Sequence, residues 1–525
     1  MSEADVPVLI IGAGPTGLVL ALWLTRLGVG VRIVDRAAEP GTTSRAVGVQ
    51  ARTLELYDQM GLAGALIDAG VRVQALHLWV GGKSTARVPF GEIGEGLSPY
   101  PYMLTYGQDE HERMLIARLA ELGVHVDREM ELAGFAQDVD VVRATLRDAR
   151  GAETTCTARY LAGCDGAHSM VREGICAGFP GGTYAQLFYV ADVVATGQAI
   201  NDEIHVDLDE ADLLAVFPLK GQGHARYIGT VRAEAEAQGA QRTFADVSDR
   251  AMRKMKLETS EVRWFSTYHV HHRVADAFQG GRAFLLGDAA HIHSPAGGQG
   301  MNTGIGDAIN LSWKLASVIR GTAPEVLLES YEQERIAFAR RLVATTDRGF
   351  TFASSRGRFA AFVRMRIFPL IAPTLTTFGP LRRFMFRTIS QLIVQYRRST
   401  LSAGADGEVR GGDRLPWVPS ASGTGDNFAP LRSFDWQVHV YGTPSADVRS
   451  ACESLGLPLH AFGWSAEARH KGMQEGSAYL VRPDGYLAGV FGSARASELS
   501  EYFRTRGIQP VAPAARLRQP RGPHS

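Results

Sequence analysis

Cysteine is scarce: Cys156, Cys164, Cys176 and Cys452 are the only four in 525 residues. Their spacing matches neither a zinc site nor a CxxC redox pair, and four are too few to staple a chain this long. Reduced thiols in a reducing compartment are therefore expected, which makes the protein cytoplasmic. Net charge is missing too. Fifty-five basic residues balance fifty-five acidic ones, so nucleic acid is not an expected partner. The opening MSEADVPVLIIG has acids where a secretory leader needs positive charge, and no targeting segment is expected. Lysine is rare, six against 49 arginines, a bias that a GC-rich bacterial genome explains better than physics does and that favours secondary metabolism.

No apolar run is long enough to span a bilayer. Arg348 to Ala405 has no Asp, Glu, Lys or His but carries ten arginines among Phe, Leu, Ile and Pro. Its longest uncharged run, Ile367 to Leu381, contains Pro369, Pro373 and Pro380 and is too short to cross. A basic amphipathic segment can lie on a membrane surface, but packing on the active-site lobe or on a dimer partner is the commoner use of such helices. Peripheral membrane contact stays open, as do monomer and homodimer.

What is present is a composition of 45% hydrophobic, 21% charged and 9% aromatic residues, that of a folded globular protein. The length implies about two to four domains. Val8 to Ile11, a glycine turn opening a helical pattern, and Val31 to Val34 form a βαβ unit. Gln50 to Met60 and Asp109 to Leu122 are helical, whereas Ala75 to Val88 alternates like a strand. Leu213 to Pro218 and Arg226 to Val231 read as strands of a sheet-rich lobe, with a helical pattern at Phe244 to Met255. Ala283 to Leu286 returns to a buried strand, followed by a helix from Asn302 through Arg320. These patterns divide the chain into a nucleotide-binding domain in three pieces (1–75, 104–180 and 268–345), a lobe in two (76–103 and 181–267), an arginine-rich helical segment (346–403), and a linker with a closing domain (404–525). Gly404 to Gly425, rich in Gly, Ser, Pro and Asp, reads as the linker. After it Trp436 to Tyr441, Ala446 to Leu455, Ala478 to Arg482, Tyr486 to Val490 and Ser497 to Arg506 give the order β, α, β, β, α. The tail after Pro510 is expected to fray.

Gly12-Ala13-Gly14-Pro15-Thr16-Gly17 falls where a strand becomes a helix. Gly12 permits the tight turn, Gly14 lets a pyrophosphate approach the backbone, and Gly17 allows close helix packing. The amides at the helix start would hold the phosphates. Asp35, followed by Arg36, closes the second strand; its carboxylate can accept from ribose hydroxyls and would repel a 2′-phosphate. This fingerprint leaves FAD and NAD both open.

Two further blocks decide between them. Tyr160-Leu161-Ala162-Gly163-Cys164-Asp165-Gly166-Ala167-His168-Ser169-Met170-Val171-Arg172 sets a short strand before Asp-Gly and a polar turn. Gly287-Asp288-Ala289-Ala290-His291-Ile292-His293-Ser294-Pro295 runs on to Ala296-Gly297-Gly298-Gln299-Gly300-Met301-Asn302. With these three blocks in this order, the sequence resembles the class A single-component FAD-dependent aromatic hydroxylases. That is the family of p-hydroxybenzoate, phenol and pentachlorophenol hydroxylases and of polyketide-tailoring hydroxylases. The resemblance covers roughly Pro7 to Arg341 and, more loosely, the closing domain.

The resemblance implies an α/β fold: a Rossmann-like FAD-binding domain of the p-hydroxybenzoate hydroxylase type, an inserted sheet-rich substrate domain, and a thioredoxin-like carboxy-terminal domain. With Cys452 alone, that last domain has no dithiol and is expected to be structural. The resemblance also implies that FAD is reduced by NADPH or NADH and that dioxygen adds at the flavin C4a. The terminal oxygen of the C4a-hydroperoxide then goes to a phenolic, polycyclic aromatic or quinone-like metabolite. Asp288 is expected on the ribityl hydroxyls, and the first amides of the helix at Gly300, Met301 and Asn302 on the flavin edge where negative charge collects.

By the same resemblance Pro295, Ser44, Arg45, Gln108, Glu112 and Arg113 contact the cofactor or its neighbourhood. Arg45 also lies near the flavin's mobile edge, where it counts as a catalytic candidate, and Asp165, Gly166 and Arg172 serve FAD and NAD(P)H together. For Arg52 and Arg113, ordinary ion pairs are an equally good reading. Tyr268 and Arg226 are the candidates for helping a phenol lose its proton. Their bland readings are a packed aromatic and a surface arginine. Val47 stands where the phenol-hydroxylase branch has an acid, which favours a bulkier aromatic over simple phenol. His269, His271 and His272 cannot all face the site from one strand. His291 and His293 lack a third ligand, and no metal is expected. The alternatives are a Baeyer-Villiger or epoxidising enzyme on the same fold, and a flavin-binding partner protein without oxygen chemistry.

Overall fold

The computed structural model describes residues 4–41, 46–208, 213–231, 243–247, 249–293, 298–354, 379–420, 425–495 and 497–510. Val6–Ile11 (β1) is apolar at every position, and Val8 to Ile11 are buried. β1 pairs in parallel with Val31–Val34 (β2) on one side and Glu153–Gly163 on the other. Ala283–Leu285 and Val126–Asp127 extend the parallel array at its two sides. A sheet covered on both faces needs apolar side chains in both directions, which is why Val6–Ile11 and Ala283–Leu285 read as continuous apolar runs. Pro15–Arg26 (α1) starts with Pro at its first turn and buries every residue from Gly17 to Leu24.

The second sheet has eight strands in the order His291–Ile292, Glu258–Val274, Gly181–Thr196, His224–Thr230, Leu213–Pro218, Ile204–Leu208, Ala75–Val80 and Lys83–Pro89. Its last two strands turn through Gly81 and Gly82, both at positive φ (60° and 78°), the conformation a two-residue hairpin demands. Glu258–Val274 is one strand, paired with Gly181–Thr196 from Gly181↔Arg273 to Thr196↔Glu258. The lobe therefore runs through the expected division at 267/268, which corrects that boundary. The expected helix Phe244 to Met255 is also corrected: it splits into a 3-10 turn, Phe244–Asp246, and a short helix, Arg250–Lys254, because Val247 forms a β-bridge with Val231.

In the closing domain the sheet order is Leu459–Phe462, Gln437–Tyr441, Ala478–Val481, Leu487–Phe491. Leu459–Phe462 and the helix Ala466–His470 are additions to the expected order. That strand is a four-residue, half-buried edge without alternation, so its sequence carries no strand signal. Gly404 to Ser420 is no linker. Val409, Leu415 and Val418 are buried, and Leu415 N–H donates to Gly485 O. Its glycines serve close approach: a Cβ on Gly411 would stand 2.4 Å from Ala403 O. Of the arginine-rich segment, the helix Gly379–Ile389 is described; it presses Phe386 onto Phe90 and Gly94. The expected fraying after Pro510 and residues 355–378 of that segment lie outside the described residues.

Candidate active site

Three stretches far apart in the chain close on one groove at the C-terminal ends of the parallel strands. A Cβ on Gly12, at φ 101°, would stand 2.3 Å from Cys164 O, and one on Gly17 would stand 2.0 Å from Gly12 O. Only glycine lets the first turn press against the second block and α1 against the turn. Gly14, by contrast, has no atom within 4 Å of its would-be Cβ, so its backbone borders open space. Thr16 sits between Gly287 and Gly304, whose Cβ atoms would stand 2.7 and 2.3 Å from its Oγ1; it joins the first block to the third.

Asp35 Oδ2 accepts from Ala13 N–H at 2.6 Å and Oδ1 from Ala37 N–H at 2.8 Å. The carboxylate at the end of β2 thus holds the glycine turn while keeping lone pairs for a hydroxyl. Arg36 is exposed beside it. Gln108 and Glu112, one turn apart on the helix Gln108–Glu121, accept from Ala46 N–H and Gly41 N–H, each at 3.3 Å, and so hold the two residues that flank 42–45. Ser44, Arg45 and Pro295 lie outside the described residues.

Asp165 is half-buried, and its loss of solvent pushes its carboxyl pKa up. Its Oδ2 accepts from Val171 N–H, while Oδ1 has no hydrogen-bond partner among the described residues. Gly166 is at φ 79°. Asp288 is exposed to the groove between buried Gly287 and Ala289. The helix Gly300–Ile319 begins with no side-chain cap, so the amides of Gly300, Met301 and Asn302 are presented forward. The Asn302 side chain is spent: it donates to Gly48 O and Gly298 O and accepts from Gln50 N–H and Thr53 Oγ1. It fixes where the helix starts.

Two site residues make contacts that the sequence does not show. Arg172 donates to Ala289 O at 2.9 Å and Ala167 O at 2.8 Å, with Phe179 stacked 3.9 Å from its guanidinium. Facing carbonyls on both sides, it staples the second block to the third. Arg226 is 1% exposed. It forms two 2.6 Å bonds with Asp192 and donates to Ala46 O at 3.0 Å. Asp192 thus pairs its charge, and the bond to Ala46 O ties this strand to the nucleotide-binding domain. Arg52 and Arg113 are ion-paired, the first buried with Glu55, the second at the surface with Asp109 and Glu110.

Tyr268 shares a face of the second sheet with Arg226. The register Tyr268↔Phe188↔Thr230, Ser266↔Val190↔Ile228↔Ala215↔Val206 and Trp264↔Asp192↔Arg226↔Phe217 defines it. This face looks toward the nucleotide groove, since Arg226 reaches Ala46 from it. Tyr268, Trp264, Phe217, Ile228 and Val206 are half-buried, so the wall is apolar and partly open. The opposite face is filled by Tyr189, Leu214, Val216, Tyr227, Met252 and Met255.

The sequence reading misses the support beneath the third block. Asp307, buried in the helix Gly300–Ile319, accepts from Arg335 Nε at 2.6 Å and Gly287 N–H at 3.0 Å, and its Oδ2 lies 2.7 Å from His291 Nε2. Arg335 and His291 hold its pKa below the ordinary carboxylate value. His291 is committed there; His271 bonds Thr183 Oγ1, and His272 packs against Tyr184. A lone acid at a buried position of an apolar helix is the signal that could have revealed Asp307.

An open glycine edge, an orphaned buried acceptor on Asp165, an exposed Asp288 and an uncapped helix start fit an adenine dinucleotide carrying a flavin. Fold and groove together define a flavoprotein. The chain matches the family described as FAD binding domain over residues 5–346. It is 39% identical over 410 residues to 6-methylpretetramide 4-monooxygenase of Streptomyces rimosus, covering 77% of this chain and 72% of that protein. It is 32% identical over 508 residues to a flavin-dependent monooxygenase of Mycobacteroides abscessus, covering 93% and 98%. The solved structure of the anhydrotetracycline hydroxylase OxyS from Streptomyces rimosus superposes with a TM-score of 0.75 at 28% identity, covering 96% of this chain and 100% of that one. The chain belongs to the FAD-binding-domain family and is an FAD-dependent monooxygenase. Among the described residues no helix is long and apolar enough to cross a membrane.

Proposed function

We propose that this monooxygenase hydroxylates an uncharged polycyclic phenol or quinone-like metabolite. The observation that carries the reading is the wall facing the groove: Tyr268, Ile228, Phe217, Val206 and Trp264 present aromatic and aliphatic surface. Its one cation among the described residues, Arg226, is already paired with Asp192. A small carboxylated phenol would need a free cation to leave water, since a buried unpaired carboxylate is strongly disfavoured. A flat apolar ring system needs only area, at about 25 cal/mol per Å² buried. The tetracycline-type relatives support the same choice, because the named substrates of the Streptomyces rimosus enzymes are polycyclic.

FAD, reduced by NAD(P)H, supplies the activated oxygen from O2. The residues of this chain do the rest. Asp35, Asp165 and Asp288 would hold hydroxyls of the cofactor, the glycine turn its phosphates, and the Gly300, Met301 and Asn302 amides the edge that gains negative charge on reduction. The apolar wall keeps water from the reacting atoms. Tyr268 is the titratable group of that wall outside the Arg226–Asp192 pair, and its hydroxyl would pass the phenolic proton.

The test is mass spectrometry of reactions under ¹⁸O₂ with three substrate classes: polycyclic phenols, simple phenol and p-hydroxybenzoate. One labelled oxygen in a polycyclic product, with little turnover of the other two, is expected. Equal turnover of p-hydroxybenzoate, or consumption of NAD(P)H without any labelled product across the panel, refutes the reading.

A further inference from the structure

In the arginine-rich segment the described helix Gly379–Ile389 gathers cations in one place. Arg383 and Arg387 lie four residues apart on Gly379–Ile389 and so share a face. They open into a cleft of about 330 Å³ between this helix, the Gly96-Leu97 turn and the closing domain; Arg397, just after the helix, and Arg414 and Lys471 of the closing domain line the same walls. Three of the five cations are answered. Arg397 is bidentate on Asp413 at 2.6 and 2.9 Å, Arg414 pairs with Glu55, and Lys471 pairs with Glu467 at 2.9 Å. Arg383 and Arg387 have no ion-pair partner among the described residues, and one carboxylate, Glu408, remains on the rim.

Like charges at i and i+4 destabilise a helix, and the chain offers no acid between Arg348 and Ala405 to relieve them. Loss of solvent and the nearby Arg414 press the Arg387 pKa below its ordinary value, against the attraction of Asp413. Asp413 is already bidentate with Arg397, and crowding of like charge that the protein relieves only in part is the arrangement a bound anion relieves. Guanidinium forks match phosphoryl oxygens bidentately.

We propose that Arg383 and Arg387 form an oxyanion site in this cleft that binds the phosphate or diphosphate group of a small ligand. The cleft floor, Leu392 to Val394, adjoins Gln391, whose side chain donates to Thr303 Oγ1 at 2.9 Å near the start of the flavin helix. The site is thus attached to the catalytic unit. Two sources carry this chemistry: the phosphates of the nicotinamide dinucleotide, for which this fold offers no second nucleotide-binding fingerprint, and a phospholipid headgroup. The inference is independent of which aromatic the enzyme hydroxylates.

The test is calorimetric titration of the FAD-loaded enzyme with inorganic pyrophosphate at low and about 0.15 M ionic strength. Saturable one-site binding that weakens with salt is expected. The double variant Arg383→Gln/Arg387→Gln should lose at least about tenfold in affinity, and Arg383→Lys/Arg387→Lys should keep most of it. The Gln variant should also retain FAD and melt at or above the wild-type temperature, since it removes an i,i+4 repulsion. Displacement of pyrophosphate by NADPH or NADH supports the site and identifies the dinucleotide. Displacement by phosphatidylglycerol vesicles but not by phosphatidylcholine ones supports it and identifies the headgroup. No saturable binding to the wild type, or unchanged binding by the Gln variant, overturns it.

Discussion

Replacing Asp307 with Asn isolates the support beneath the third cofactor block. The carboxylate is buried with Arg335 and His291, at 2.6 and 2.7 Å, and also accepts from Gly287 N–H. Asparagine keeps the shape but removes the charge. Arg335, 3% exposed, would keep Tyr396 Oη and Thr303 O as acceptors but have no counter-ion. Breaking one partner from a buried pair costs about 3–5 kcal/mol, a large share of the roughly 5–15 kcal/mol that holds a domain folded. At about 2–4 °C per kcal/mol this lowers the melting temperature by roughly 10 °C. Because Gly287 leads directly into Asp288, FAD should be released more readily, read as recovery of free-flavin fluorescence.

The sign with pH follows from the direction of the shift. Asp307 has a depressed folded-state pKa, so its stabilisation is present above the unfolded value of about 4 and is lost as pH falls through the lower folded value. The wild type should lose stability on acidification in that window, and the Asn variant should lack that portion of the slope. Asp307→Asn combined with Arg335→Met should be less destabilised than Asp307→Asn alone, since no charge is then stranded. Additive losses, or an Asp307→Asn protein that keeps FAD and melts within about 1 °C of wild type, would refute the reasoning.

Gly12→Ala places a Cβ 2.3 Å from Cys164 O at φ 101°; the strain of about 1–3 kcal/mol falls on the pyrophosphate turn, and the protein should purify with little FAD, measured by the 450 nm band, about where flavins absorb. Arg482→Met removes the closing domain's bond to buried Glu334, at 2.7 Å, leaving Lys314 to answer it. About 3 kcal/mol of destabilisation and faster proteolysis between the catalytic unit and the closing domain are expected. Tyr268→Phe should leave FAD content and substrate affinity within about twofold while lowering the hydroxylation rate by roughly 10²-fold, with NAD(P)H oxidation diverted to hydrogen peroxide; equal coupling in wild type and variant would remove Tyr268 from the reaction.

Much of the catalytic unit was legible because its signals are local. Gly12, Gly14 and Gly17 declare a turn that tolerates no side chain, and the helix Ala446–Leu455 is framed by its Ser445 cap and by Gly456 at φ 65°. What the sequence did not show involves partners far along the chain. Arg226 looks like a free cation until Asp192, 34 residues away, is placed opposite it across the strands Gly181–Thr196 and His224–Thr230. Gly404 to Ser420 has the composition of a linker, and its packing shows only once Leu415 meets Gly485. Leu459–Phe462 becomes a strand because Gln437–Tyr441 offers a parallel edge.

The chain's residues in order were enough to determine the nucleotide turn and the acids and helix start around it, because backbone conformation and local hydrogen bonding act over a few residues; the flavin followed from the family resemblance those blocks carry. Which charged groups remain available for a ligand was decided by the tertiary structure alone. Ion pairs such as Arg226–Asp192 and Arg335–Asp307 depend on distances of a few ångströms between residues 34 and 28 positions apart. Coulomb energy in a buried site depends on that separation in space, which linear sequence does not record.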